Sequence, residues 1–213
     1  MTQSPRSSSS QQPHPLVWWL GAMALGLMPL ICLQALPGVD GVRLLIRATA
    51  RSSLLFFLLA YTAQAAVLTW PGAWSSWQRT HRRQWGWLFV ASHTVHAAGI
   101  VTLALMAPDL FNTLAPLGNR VTGGLAYAFI WAMGLTSFDR SARWLGPVWW
   151  ARLHTWGLHY IWLSFLVANG KRIAAQPIYA VPTLLLLVAL GWRLWAARQK
   201  FRHASRPNRG VPA

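Results

Sequence analysis

Between Gln84 and Met106 the chain runs for 23 residues without a carboxylate, a lysine or an arginine. As a helix this stretch is about 34 Å long, enough to cross a hydrocarbon core of about 30 Å. It is entered through His81, Arg82 and Arg83, and its middle carries two imidazoles, His93 and His96, among small and apolar residues. An ionisable side chain at that depth is costly and marks a candidate functional site. Imidazole is the commonest protein ligand for a metal and serves haem iron as well. The competing role is an ordinary hydrogen bond between membrane helices.

The remaining composition agrees with a bilayer as solvent. Only 10% of residues are charged and 54% are hydrophobic, with 15 tryptophans, where a soluble domain carries about 25% charged residues. Nineteen Lys and Arg stand against three carboxylates, Asp40, Asp109 and Asp139, giving a net charge of +16. Such a charge raises the question of nucleic acid. Here, however, the basic residues lie in short gaps between apolar runs and in the tail, where they set membrane orientation. Nucleic-acid binding is not expected. The single cysteine, Cys32, excludes an intrachain disulfide and a cysteine-cluster metal site.

Apolar runs predict an all-α bundle of six transmembrane helices, at about 16–36, 48–68, 84–106, 121–137, 148–169 and 178–197. Residues 1–15 are rich in Ser, Gln and Pro and are expected to be a disordered tail. Residues 198–213 are expected to be a basic, disordered one. The intervals 37–47, 70–83, 107–120, 138–147 and 170–177 read as loops or connectors. The first run is long for the apolar segment of a signal peptide, so a retained helix is expected. Pro29 lies inside it, a position for a kink. With six spans the termini share a face, which receives 13 basic residues against six on the other. That asymmetry places both termini in the cytoplasm.

The third and fifth spans then enter from the same side. Counted from Gln84, His93 and His96 lie about 14 and 18 Å deep; counted from Val148, His154 and His159 lie about 9 and 17 Å deep. Two imidazoles at one depth on neighbouring spans are able to clamp a haem iron from both faces, an arrangement suited to electron transfer. By depth His159 is the partner of His93 or His96. Zinc chemistry is disfavoured, since no carboxylate or thiolate accompanies the histidines. His81 and His203 lie among basic residues and are expected to be solvated; His14 lies in the N-terminal tail.

RRQWGWLFVASHTVH (Arg82 to His96) resembles the third helix of the ferric-reductase-like transmembrane superfamily. LTSFDRSARWLGPVWWARLH (Leu135 to His154) is similar to the corresponding pattern of one branch, the haem-binding membrane subunit of the bacterial periplasmic methionine sulfoxide reductase system (the MsrQ family). Thr122-Gly123 at the entry to the fourth helix also fits, and the resemblance covers about residues 40–195. It implies an inner-membrane protein with haem b, one or two, and His96 and His154 as ligands. It also implies a flavin mononucleotide and an electron path towards a periplasmic molybdenum-cofactor reductase. Where the family carries a second histidine thirteen residues after the first, this chain has Val167. His93 and His159 lie outside the family pattern and are candidates for the missing ligand. The ligand set therefore stays open among His96, His154, His159 and His93. Arg51, Arg120 and Arg152 are candidates to neutralise haem propionates; setting topology is their competing role.

Sixteen residues follow the sixth predicted span, too few for the flavin and nicotinamide domains of larger members of the superfamily. No dinucleotide-binding fingerprint is present in a strand-to-helix context. Electrons are expected from membrane quinol or a separate soluble flavin reductase. Two alternatives remain: a stand-alone ferric or quinone-linked cytochrome b, and a non-haem membrane transport or assembly protein. Against the last, every carboxylate falls in a predicted loop, so a proton relay of buried Asp or Glu is missing.

Overall fold

The computed structural model describes residues 15–204, and among these it is all-α. The tail expectations for residues 1–14 and 205–213, with His14, lie outside the described residues; so does the side chain of His203. Nine α-helices follow in order: α1 Pro15–Ala35, α2 Gly38–Thr69, α3 Ala73–Thr80, α4 Arg82–Met106, α5 Pro108–Leu114, α6 Leu117–Leu135, α7 Asp139–Leu145, α8 Pro147–Gly170 and α9 Ala180–Ala204. A 3₁₀ turn at Pro177–Tyr179 leads into α9.

Six of these helices correspond to the six expected runs. The spans Trp18–Ala35, Gly38–Thr69, Arg82–Met106 and Pro177–Lys200 are long and apolar enough to cross a membrane. Leu117–Leu135 with Asp139–Leu145 forms a fifth if a pair bent by 108° is taken as one span. The 24-residue α8 is long enough, but Arg152, His154, His159 and four tryptophans lower its mean hydropathy.

The expected loops were mostly wrong. Residues 38–47, expected as a loop, are the first three turns of α2. Asp40 and Arg43 are three apart and pair at 3.3 Å on one helix face, so the charges extend the helix instead of ending it. Gly38, at φ +60°, turns the chain between α1 and α2, a conformation that suits glycine. The connectors contain α3, α5 and α7. Gly146, at φ +78°, makes the corner between α7 and α8. The C-terminal segment 198–204 is helical, continuing α9.

In lipid, association rests on close packing and interhelical hydrogen bonds. The buried centre joins Phe57 and Tyr61 of α2, Phe89 of α4, Ile130 of α6, Ile161 of α8, and Leu186 and Ala189 of α9. Small residues bring the helices together. At Gly157 of α8, an added Cβ would meet Met133 Sδ at 2.5 Å and Phe129 Cδ1 at 3.1 Å, both on α6. The α1 helix packs at the margin, where Leu25 joins Trp85 and Leu88 of α4.

Candidate functional site

The site grows from the seam between α2 and α4. Ser92 is fully buried and its hydroxyl donates to the Thr49 carbonyl at 3.1 Å. With its one proton committed, Ser92 Oγ accepts from Ser52 and Ser53, both at 2.8 Å. One turn further along α4, His96 Nδ1 lies 2.9 Å from the Ile46 carbonyl and 3.1 Å from Thr49 Oγ1. A carbonyl only accepts, so Nδ1 carries the proton. Thr49 sends its own hydroxyl proton to the Leu45 carbonyl at 2.7 Å. The tautomer is therefore fixed and the lone pair of His96 stands on Nε2. A backbone carbonyl holding one ring nitrogen so that the other is left for a metal is the usual support of a ligating histidine.

His93 lies beside it, with ring centroids 5.1 Å apart and planes inclined by 33°. Phe89, Tyr127 of α6 and Phe165 of α8 surround the His93 ring at centroid distances of 5.2, 5.3 and 5.6 Å. His93 Nδ1 is buried without a hydrogen-bond partner, and so is the hydroxyl of the adjacent Tyr127. Buried polar atoms are nearly always paired, and these two adjacent side chains are polar groups that the described residues leave without a partner.

The fifth-span histidines do not join this pair. His154 Nε2 is 3.1 Å from Thr136 Oγ1. The Thr136 hydroxyl also has the Ala132 carbonyl as an acceptor at 2.7 Å, and when it donates there its oxygen can accept from His154 Nε2–H. Its ring stacks on Trp150 at 4.1 Å, and the Trp150 indole N–H reaches the Thr136 carbonyl at 2.9 Å. Along α8, His154 precedes Phe165, which touches His93, by eleven residues, or about 16 Å of rise. Helical side chains lean the same way, so the His154 ring stands about 11 Å or more from the His93 ring. Two imidazoles on one metal keep their nitrogens about 4 Å apart. His159, the residue matched by depth, is exposed, and its Nδ1–H donates to the Thr155 carbonyl of its own helix at 2.9 Å.

The arginines are equally separate. Arg51 and Arg152 are exposed, and the Arg152 guanidinium lies over the Trp149 ring at 5.0 Å. Arg120 ties α5 to α6 through the Ala115 carbonyl and Asn112 Oδ1, both at 2.6 Å. His81, expected in solvent, is instead buried at the α3–α4 corner, where its Nδ1–H donates to the Trp77 carbonyl at 2.8 Å. Among the described residues no three of His, Cys, Asp and Glu converge as a metal site.

The sequence reading missed Ile46, Thr49, Ser52, Ser53, Ser92 and Tyr127. The signal was present as small polar residues at helical spacing on two adjacent apolar runs, a pattern that in lipid marks a packing seam. Comparison of the chain with protein-family models, with curated proteins and with solved structures gives no match.

Proposed function

We propose that this is a six-span electron carrier of the bacterial cytoplasmic membrane with both termini in the cytoplasm. In this reading it holds haem b at His96 and passes electrons from quinol or a soluble flavin reductase to an acceptor on the opposite face, such as a periplasmic methionine sulfoxide reductase. The observation that carries the reading is the tautomer of His96, whose Nδ1–H is spent on the Ile46 carbonyl and whose Nε2 lone pair is left for a metal. The orphaned Nδ1 of His93 beside it adds a second donor in the same apolar surroundings.

In this reading His96 would hold the haem, with His93 as the nearest further imidazole. His154 is hydrogen-bonded to Thr136, and Phe165 fills the interval between α4 and α8 beside His93. When bound, haem supplies one-electron chemistry at a potential set by ligand and burial. The chain's own contribution is to fix one imidazole through Ile46 and Thr49, to hold α2 against α4 through Ser92, and to exclude water with Phe89, Phe165 and Tyr127.

A visible spectrum of the detergent-purified protein tests the reading. The expected result is a Soret band, with sharp α and β bands on dithionite reduction. His96→Ala sharply lowers haem content and His203→Ala leaves it unchanged. A colourless preparation after haem supplementation would falsify the haem assignment; equal haem in both variants removes His96.

A further inference from the structure

At the corner where α6 gives way to α7 and α8, a groove of about 450 Å³ opens on the outside of the bundle. It is lined by Phe129, Leu145, Trp149, Arg152, Leu153 and Trp156, so five of its six lining residues are apolar and one is a cation. We propose that this groove binds an anionic phospholipid, with one acyl chain along Phe129, Leu153 and Trp156 and the phosphate on the Arg152 guanidinium.

Three observations support that occupant. First, the position is that of a membrane interface. The α7 helix turns away from α6 by 108°, and its Trp144 is 87% exposed, as tryptophans are at headgroup level. Second, the corner is positive and uncompensated. Arg140 and Arg143 are exposed on α7 and Arg152 on α8, the two helices that meet at this corner, while the local carboxylate, Asp139, is paired with Arg83 at 3.1 Å. That bond and Arg43–Asp40 are the two ion pairs among the described residues. Third, Arg152 lies over the face of Trp149 at 5.0 Å, a cation–π contact that braces the side chain at the groove. A neutral quinone would satisfy the apolar wall and leave the guanidinium without an anion. A free phosphate would satisfy the guanidinium and leave the apolar wall open.

Native mass spectrometry of the full-length protein, released from detergent with added dioleoyl-phosphatidylglycerol, tests the proposal. Wild type is expected to retain one more phosphatidylglycerol than Arg152→Gln, whose affinity falls about fivefold, the size expected for one basic residue meeting an anionic headgroup. Arg152→Lys keeps much of the binding. Leu153→Trp fills the groove without altering charge and also loses the lipid, which covers the case in which Arg152→Gln fails to fold. Three outcomes overturn the proposal: equal retention of phosphatidylcholine, equal retention by wild type and both groove variants, or displacement of the lipid by inorganic phosphate alone. Preferential retention of an added quinone that is insensitive to Arg152→Gln overturns it as well.

Discussion

Ser92→Ala perturbs the α2–α4 seam at its hub. Three bonds disappear: those from Ser52 and Ser53 at 2.8 Å and that to the Thr49 carbonyl at 3.1 Å. Ser52 retains the Thr49 carbonyl at 3.2 Å as an alternative, whereas the fully buried Ser53 is stranded. An interhelical hydrogen bond in a bilayer contributes about 0.6 kcal/mol. Two bonds lost without replacement therefore remove about 1.2 kcal/mol, and the stranded hydroxyl adds about 1–2 kcal/mol. The expected loss is about 2–3 kcal/mol. Ser53→Ala loses a single bond, about 0.6 kcal/mol. The double variant strands nothing, so its loss is smaller than the sum of the singles by at least about 1 kcal/mol. Reversible unfolding in mixed micelles, followed by circular dichroism and tryptophan fluorescence, reads all three. A Ser92→Ala protein within about 0.3 kcal/mol of wild type, or additive singles, refutes the network.

Gly157→Leu drives a side chain into Met133 and Phe129 and is expected to cost about 1–3 kcal/mol; an unchanged melting temperature counts against the α6–α8 contact. His93→Leu removes an orphaned buried nitrogen. In haem-free protein it is expected to raise stability by about 1 kcal/mol, and a fall of that size in the same unfolding assay shows that Nδ1 has a partner. Asp139→Asn breaks an ion pair whose two side chains are 52% and 76% exposed. It is expected to shift stability by less than about 1 kcal/mol, and a larger loss in thermal unfolding would mean that the pair holds α4 to α7.

The helical runs were legible because long stretches without charge admit few folds in lipid. Their ends were not, because Asp40, Arg43 and Arg47 look like loop residues to a reader who assumes that charges mark the bilayer edge. His96 was legible as a candidate. Its supporting carbonyl was not, because Ile46 lies 50 residues away and its side chain is silent about what its backbone does. The directions of the His154 and His159 rings were not legible for a related reason. Depth and motif fix height along a helix, but the direction a ring takes is decided by neighbours such as Trp150, Thr136 and Thr155.

The helices differ in reach. At 1.5 Å per residue, the 32 residues of α2 cover about 48 Å and the 19 of α6 about 28 Å. In a thickening bilayer α2 has length to spare, and α6 is the helix whose ends are drawn below the lipid surface. A helix shorter than the hydrocarbon core is accommodated by thinning of the bilayer, so the local membrane is expected to thin around α6.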